Sequence, residues 1–575
     1  MIYKSKRQHF DIIKNQLESE RASFLSHWRD ISDHILPRRS RFSLAEANRG
    51  EKKNQKIIDS TATLAARTLR SGMMSGITSP ARPWFRLTTP DSELSEFGPV
   101  KRWLDIVQNR MTTSYLKSNL YNTLPIMYGD LGVFGTAPVS IEEDLTGDVL
   151  LTKSFPVGSY SIAKDDKGKV NTFFREFRMT VAQVVDTFAK YDSKTGKPNW
   201  DNISIHIKNL YDTANYEAWI DVSHIIMPNR DHDMSRAQPK FKKFLSYYYE
   251  SGTSYDLKGY EDTYLRESGY DYFPILCPRW ETTGEDVYGT TCPGMEALGD
   301  IKQLQHGERR IMEAVDKMIR PPMTGPSSLK QTVVSTLPGE ITYADSTQTG
   351  QGLRPVFQVQ FQIQEMEMKQ AQVRSRIQRA FYEDLFLMLA NTDRRQITAR
   401  EIDERHEEKL LALGPVLEQL NQDFLDPLTD IAFDIHVRQG LIPPAPPELH
   451  GVNLKVEYIS IMAQAQKMLG VSGVERFTGF VGQMASVDPN VLKKIKPEQI
   501  VDVYADMMSV PSSIIRTDEE VEAIKQAEAA QQQQMQQMAM MQQQAQVAKD
   551  LSQTSLEKDK ALGAILETAN SGRIV

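Results

Sequence analysis

Apolar and polar residues alternate at helical spacing over the first part of the chain. Between residues 6 and 36 the apolar side chains recur every three or four positions. The residues that carry this spacing are Phe10, Ile13, Leu17, Phe24, Trp28, Ile31 and Ile35. The pattern predicts a long amphipathic helix, interrupted only at Arg21 and stopped by Pro37. The arginines that follow, Arg38, Arg39 and Arg41, indicate a solvated helix end near the negative pole of the helix dipole.

Two further helices are predicted before the pattern changes. Residues 55–76 are rich in Ala, Thr and Leu, and their small side chains favour close packing against another helix. Residues 98–118 carry a second apolar stripe. From 130 to 290 the apolar runs become short and partly alternating, as in NISIHIKNLY (202–211) and EAWIDVSHIIM (217–227). We interpret these segments as strands of an antiparallel region.

Helical patterning returns near residue 294. The segments 294–320 and 360–389 both show it, and between them lies a module punctuated by Pro and Gly. This order predicts an antiparallel helix pair with an insertion at its tip.

After a short polar break, ANTDRRQ, a very long helical pattern runs from Thr398 to Gln439. Pro415 and Pro427 should kink this helix rather than end it. The run LKVEYIS predicts a strand, residues 460–525 are mostly helical, and the tail is rich in Gln, Ala and Met. The whole pattern predicts a mainly helical α+β fold.

Length and charge narrow the class of protein. The chain has 575 residues, which is more than one core usually holds, so two or more domains are expected. The formal net charge is -7, whereas a dedicated nucleic-acid-binding domain is usually strongly basic. This charge is still compatible with a protein that contacts DNA without binding it tightly.

Cysteine content and hydropathy indicate the compartment in which the protein is made. The chain has two cysteines, Cys277 and Cys292, without the spacing of a zinc site and too few for a disulfide framework. The first residues lack the apolar core of a signal peptide, and no run of 18 apolar residues occurs. We therefore expect synthesis in a reducing cytosol and no membrane segment.

Glycine pairs resemble phosphate-binding loops only in their spacing. Gly284–Gly289 and Gly294–Gly299 are spaced as in a P-loop, but Thr290 and Asp300 follow where lysine is required. We predict turn or helix-entry glycines. The motif GMMSG at residues 72–76 also lacks a lysine, so it is not expected to bind phosphate.

Metal and catalytic groups are sparse in the sequence. Asp231, His232 and Asp233 could contribute to a metal site, but no second cluster accompanies them. The acidic block at 401–408 alternates with Arg400, Arg405 and Lys409, which is typical of a solvated helix face. We expect no catalytic residues, no cofactor and no bound metal.

Two longer stretches together carry a family resemblance. They are ARTLRSGMMSGITSPARPWFRLT (66–88) and FPILCPRWETTGEDVYGTTCPGMEALGDIKQLQ (273–305). With the order of elements that follows them, they resemble the portal, or head-to-tail connector, proteins of short-tailed bacteriophages. The resemblance spans about residues 1–520 and leaves out the glutamine-rich tail.

The resemblance implies a non-enzymatic ring at one capsid vertex of the virion, typically with twelve subunits. Double-stranded DNA would pass through its channel without sequence preference, during packaging and again during ejection. The implied partners are the terminase, tail adaptor or nozzle proteins, and the major capsid and scaffolding proteins.

The resemblance also implies a division of the chain into named regions. These are a wing (1–291), a first stem helix (292–320), a β-containing clip (321–358), a second stem helix (359–388), a tunnel loop (389–397), a long kinked wing helix (398–441), a helical crown (442–525) and the glutamine-rich tail (526–575), which is expected to be either helical in the assembly or disordered. Arg394 and Arg395 would be sparse DNA contacts in the tunnel loop. We expect Trp84 and Phe85 to pack at a subunit or domain contact.

Two alternatives of other classes remain open at this point. One is a metal-dependent DNA-processing enzyme, such as a nuclease, built around Asp231–Asp233 or the block at 401–408. The other is a coiled-coil scaffold driven by the tail.

Overall fold

The architecture is taken from a computed structural model of the chain. It describes the following residues: 6–43, 53–91, 94–95, 97–145, 147, 149–191, 198–252, 263–324, 354–355, 363–391, 407–460, 477–484, 500–501, 521, 524–528, 530–531, 533–538 and 540–542. The chain divides into two compact units, residues 1–469 and 470–575. In the second unit the described residues, including 477–484, are helical.

Helices are more extensive than strands among the described residues of the first unit. In chain order they are α1 (Lys6–His34), α2 (Thr61–Ile77), α3 (Gly98–Lys117), α4 (Leu120–Phe134), α5 (Val181–Phe188), α6 (Ile205–Asp212), α7 (Pro293–Glu296), α8 (Leu298–Ile319), α9 (Ile363–Ala380), α10 (Glu383–Asn391), α11 (Glu407–Leu420) and α12 (Asp426–Arg438). A π-helical turn, Asn421–Leu425, joins α11 to α12.

Strands fill the middle of the chain. They are β1 (Phe85–Thr88), β2 (Val139–Asp144), β3 (Val149–Ser154), β4 (Tyr160–Lys164), β5 (Val170–Thr180), β6 (Lys190–Tyr191), β7 (Pro198–Asn199), β8 (Trp219–Pro228), β9 (Phe244–Glu250), β10 (Arg266–Tyr270), β11 (Ile275–Leu276), β12 (Met323–Thr324), β13 (Arg354–Pro355) and β14 (Lys455–Tyr458). The main sheet is antiparallel in the order β10-β9-β8-β5-β4, and a second sheet has the order β11-β2-β3. The fold is therefore α+β with more helix than strand among the described residues.

Helix α1 lies against both the main sheet and α4. Trp28 is fully buried, and its Nε1 donates to the Phe134 carbonyl oxygen at 3.0 Å. Arg21, which interrupts the apolar stripe, donates to the carbonyl oxygens of Gly158 and Tyr160 at 3.1 and 2.7 Å. A cation at this position therefore satisfies backbone acceptors on a neighbouring element.

The arginines after α1 do not all lie in solvent, so that prediction was wrong for Arg39. Its Nε lies 2.9 Å from the Asp130 carboxylate, which is buried in α4. Burial raises the pKa of Asp130, and the neighbouring guanidinium opposes this shift.

The predicted strand at 202–211 is also wrong, because this segment forms α6. Ser204 caps the helix by accepting from the Ile207 amide. Ile203 and Ile207 are buried, but Ile205 is 62% exposed. The alternation of isoleucines looks like a strand, whereas the two buried residues are four apart, as a helix requires.

The segment predicted as one helix from 360 to 389 is broken. Tyr382 lies between α9 and α10 with a φ of 54°, in the left-handed region that a tyrosine rarely adopts. The neighbouring Phe381 is fully buried, so core packing holds the chain at this turn.

The long helix predicted over residues 398–439 is interrupted at a position that no pattern in the sequence predicts. Pro415 lies inside α11, which continues through it, and Pro427 lies in the first turn of α12. Between them, the hydrogen bonds change to the π pattern at Asn421–Leu425. The beginning of the predicted helix, 398–406, lies outside the described residues.

Candidate functional site

Helices α8 and α9 form an antiparallel pair, the element for which the sequence predicts an insertion at the tip. Their contacts run from Gly307 beside Gln370 to Asp300 beside Arg376. A Cβ at Gly307 would overlap the Gln370 side chain, so this glycine sets the close approach of the helices. The side chains buried between the pair and the core are Ile301, Leu304, Gln305, Ala314, Gln370, Val373 and Ile377.

Ion pairs neutralise the cations at the base of this pair. Arg374 lies 2.9 Å from Asp59 and 2.6 Å from Glu308, and the hydrogen bond to Asp59 raises its pKa. Arg376 lies 2.7 Å from Asp300. Carboxylates of α8 and of the segment before α2 therefore compensate the charges of both arginines.

Gln305 ties the helix pair to the segment that leads into α2. Its Oε1 accepts from the amides of Ile58 and Asp59 at 2.6 and 2.8 Å, and its Nε2 donates to the Asp59 carbonyl oxygen at 2.8 Å. A buried amide with these partners fixes the start of α2 against α8.

The far end of the pair is exposed in the single chain. All side chains from Asp316 to Arg320 are exposed, and Met312, Ile319 and Met368 are 57%, 71% and 66% exposed. Beyond it, β12 and β13 pair antiparallel, so the chain leaves and returns at the same place. The residues between these strands, 325–353, lie outside the described part of the chain.

The GMMSG motif packs α2 against α10. A Cβ at Gly72 would overlap the Phe386 ring, which lies directly over this glycine. On the side facing α4, a Cβ at Gly132 would overlap Leu69. The absence of side chains at two positions therefore lets α2 approach both neighbouring helices, and the motif has a packing role.

Trp84 and Phe85 lie within the core of the first unit, with exposures of 2% and 1%. The Trp84 indole stacks against Tyr115 and Tyr458, with ring centroids 6.0 and 6.5 Å apart. Strand β1 pairs with β14 in the register Phe85 to Tyr458. These residues therefore join the N-terminal helices to the strand before residue 460, inside one chain.

The motif at 273–305 folds against the end of α4. Gly135 ends that helix with a φ of 79°, and a Cβ at either Gly135 or Gly289 would overlap the backbone of the other. The Gly289 amide donates to Thr136 Oγ1 at 2.7 Å. A Cβ at Gly294 would overlap the Val133 carbonyl. The motif residues thus hold backbone segments in direct contact.

The glycines with P-loop spacing therefore have structural roles. Gly284 occupies a turn with a φ of 85°, and Gly294 lies in the entry helix α7. Gly299 lies in the first turn of α8, beside the acidic Asp300. Burial raises the pKa of Cys277 and Cys292 to about 12, so neither thiol is a reactive nucleophile at neutral pH.

The Asp231–Asp233 segment forms an exposed turn between β8 and β9. The Asp233 carboxylate accepts from the Ser235 amide and hydroxyl at 3.0 and 2.7 Å, and these bonds lower its pKa. Within the described ranges, no group of three or more His, Cys, Asp or Glu side chains is placed to hold a metal ion. The segment 401–406 of the acidic block lies outside those ranges.

Arg394 and Arg395 lie outside the described residues. Several residues that organise the site were not predicted from sequence, namely Gln305, Gln370 and Phe386. Each acts through a partner distant in the chain, and no local pattern marks it. In the described part of the chain, no helix is both long enough and apolar enough to cross a bilayer.

Comparison with known proteins identifies the family. Residues 7–515 match the model of the bacteriophage head to tail connecting protein. The chain is 45% identical over 556 residues to the portal protein of Salmonella phage epsilon15, covering 97% of each protein. It is 43% identical over 547 residues to the probable portal protein of Bordetella phage BPP-1, covering 95% of each.

The chain belongs to the bacteriophage head-to-tail connecting protein family. This family is a structural connector of the phage particle and not an enzyme, so the non-enzymatic prediction is confirmed. The DNA-processing alternative finds no support in the comparisons.

Proposed function

We propose that twelve copies of this chain form a closed ring at one vertex of the capsid. Double-stranded DNA passes through the central channel during packaging and again during ejection. The ring is the docking site for the terminase and later for tail adaptor or nozzle proteins. Its other contacts are the major capsid and scaffolding proteins.

The observation that carries this proposal is the uncovered surface of the α8–α9 pair. Met312, Ile319 and Met368 expose apolar side chains on a pair whose other face is already buried in the core. Apolar surface of this kind is stabilised when neighbouring copies cover it, and a closed ring covers it in every copy.

The region boundaries follow from the same proposal. Residues 1–291 and 398–441 form the wing, 292–320 and 359–388 the stem helices, and 442–525 the crown. Residues 321–358 form the clip, the docking site for terminase and adaptor, while 389–397 form the tunnel loop and 526–575 the tail.

A channel for DNA must not retain it. Each phosphate that a Lys or Arg neutralises releases counterions and adds affinity, so a strongly basic lumen would slow passage. Residues 301–320 contain five Lys and Arg residues and three Asp and Glu residues. Two of the cations form ion pairs, Lys302 with Asp30 and Arg310 with Glu313. This balance supports a weakly charged lumen, to which Arg394 and Arg395 add sparse contacts.

The proposal is tested by imaging the purified protein by negative-stain electron microscopy, with mass photometry on the same sample. We expect rings with a central hole and a mass near twelve times 65.4 kDa. Rings that persist after deletion of 526–575 would exclude a scaffold driven by the tail. A compact monomer or dimer that cleaves plasmid DNA with divalent metal would refute the proposal.

The tunnel-loop assignment needs a separate test. In assembled rings, Arg394→Gln with Arg395→Gln should leave the mass unchanged and alter the amount of DNA packaged per particle. Unchanged packaging would remove these two arginines from the channel.

A further inference from the structure

The loop between β8 and β9 is a basic surface on an acidic protein. Residues 229–243, here called the β8–β9 tip, contain five Lys and Arg residues against two Asp residues. The whole chain has a formal net charge of -7. The cations of the tip are Arg230, Arg236, Lys240, Lys242 and Lys243. Positive charge is therefore concentrated in one short surface segment.

Hydrogen bonds give the tip a defined backbone. Asn229 Nδ2 donates to the carbonyl oxygens of Lys240 and Lys242 at 2.9 and 2.8 Å. The Asp233 amide donates to the Phe241 carbonyl oxygen at 3.0 Å. A Cβ at Gly269, on β10, would overlap the Pro239 carbonyl, so the glycine lets the tip lie against that strand. A partner would therefore meet cations on an ordered backbone, which lowers the entropic cost of binding.

The cations of the tip are presented to solvent. Arg230, Arg236, Lys240 and Lys243 are exposed, whereas Lys242 pairs with Asp271 at 2.6 Å. The Arg236 guanidinium lies 4.6 Å from the centre of the Phe241 ring, and Lys240 Nζ lies 5.1 Å from the same ring. The ring therefore supports two cations side by side.

The acids of the tip compensate only part of this charge. Asp233 accepts two hydrogen bonds from Ser235 and lies 3.2 Å from Arg236 Nε, so its negative charge is compensated within the turn. Asp231 is the other acid against five cations. The other N–H groups of the Arg236 guanidinium can donate to a second acceptor.

The composition of the surface favours phosphate over a protein partner. Protein interfaces have an apolar core in which Lys is depleted. The tip instead exposes Lys, Arg, Ser and Gln, with Met234 as its exposed large apolar side chain. Exposed cations without an apolar core suit a polyanion whose charges are regularly spaced.

We propose that the β8–β9 tip binds the phosphate backbone of double-stranded DNA without sequence preference. The proposal rests on the proposed function in naming DNA as the partner. The residues of the tip belong neither to the α8–α9 pair nor to the segment 389–397, and this contact does not require DNA to thread a channel.

The test uses a labelled, closed circular DNA duplex, which has no end to enter a ring. Its affinity for the full-length protein is measured from 50 to 200 mM salt. The tip variant carries Arg236→Gln, Lys240→Gln and Lys243→Gln. The matched control carries Arg102→Gln, Lys117→Gln and Lys167→Gln, which removes the same charge from exposed sites elsewhere.

The tip variant should bind the circle on the order of a hundredfold more weakly at 100 mM salt, because three phosphate contacts are lost. The slope of log affinity against log salt should become shallower by about 0.9 per cation removed. The control should lose much less. Mass photometry of the same variants shows whether rings still form, so a failure of assembly is distinguished from a failure of the DNA contact.

Equal losses in the tip variant and the control would overturn the proposal, because net charge alone would then explain binding. It would also be overturned if the tip variant lost affinity for a polyglutamate peptide but kept its affinity for the circle. That result would make an acidic protein the partner.

Discussion

Arg279 and Asp423 form a bidentate ion pair in which Nε and Nη2 each lie 3.0 Å from a carboxylate oxygen. Their side chains are 4% and 10% exposed. Arg279 belongs to the motif at 273–305, and Asp423 lies in the π-helical turn between α11 and α12. The pair therefore fixes the widened turn of the long helix against the motif, and Arg279 Nη2 also donates to the Gly168 carbonyl oxygen at 2.9 Å.

Removing one member of this pair should be costly. Asp423→Ala leaves a buried guanidinium without its counter-charge, and we expect the free energy of unfolding to fall by about 3–5 kcal/mol. The measurement is the thermal unfolding midpoint of the purified protein. Asp221→Ala, which removes the partner of the more exposed Arg178, should cost less than about 1 kcal/mol. Equal shifts for the two variants would show that the buried pair contributes no more to stability than the exposed pair.

Gly72 should not tolerate a side chain. Gly72→Ala places a methyl group into the Phe386 ring, and overpacking of this kind costs about 1–3 kcal/mol. Combining it with Phe386→Leu should recover part of the loss. Gly299→Ala is the matched control, because nothing lies within 4 Å of its Cβ and alanine favours the helix by about 0.5–1 kcal/mol. A lower unfolding midpoint for Gly299→Ala than for Gly72→Ala would contradict this packing.

Much of the helical architecture could be predicted from sequence, because amphipathic helices carry a visible stripe. The helices α1, α3 and α8 begin and end within a few residues of the prediction. Helix α4 was missed for the opposite reason. Its residues from Met127 to Phe134 are all buried, Asp130 included, so the helix has no exposed polar face there to produce an amphipathic pattern.

The site could be predicted only in part. The GMMSG motif and the stretch at 273–305 were recognisable as motifs, but their partners Phe386, Gly135 and Asp423 lie far away in the chain. The break at Tyr382 and the π-helical turn follow from tertiary contacts, which local propensity cannot supply.

His224 should make the protein less stable in mild acid. The ring is buried in the main sheet, stacked 3.8 Å from Tyr248, and its Nε2 lies 3.0 Å from Ser246 Oγ. Arg175 Nε donates to Nδ1 at 3.3 Å, which requires that nitrogen to be unprotonated. Burial first, and then Arg175, Lys153 and Arg266, lower the pKa of His224 well below its usual value.

The folded state therefore keeps His224 neutral, while the unfolded chain takes up a proton near pH 6.5. Its contribution to stability is constant above that pH. Below it, stability falls by up to about 1.4 kcal/mol per pH unit until the folded-state pKa is reached. His224→Gln should reduce the difference in unfolding midpoint between pH 7.5 and pH 5.5. The exposed His206→Gln serves as control, and an unchanged difference in His224→Gln would refute the assignment.

Trp84→Ala should destabilise the chain itself before it affects any ring. The indole is buried, stacks on Tyr115 and Tyr458, and donates through Nε1 to the Tyr121 hydroxyl at 3.2 Å. Truncation removes a large buried side chain, and about 3–5 kcal/mol of stability should be lost. Trp84→Phe, which keeps an aromatic ring, should lose less.

The thermal midpoint reports stability, and mass photometry at a temperature where the variant stays folded reports assembly. A folded Trp84→Ala protein that still forms rings would place the packing role of this residue within the chain. An unchanged midpoint with loss of rings would place it between subunits, and if both were unchanged, Trp84 would have no packing role.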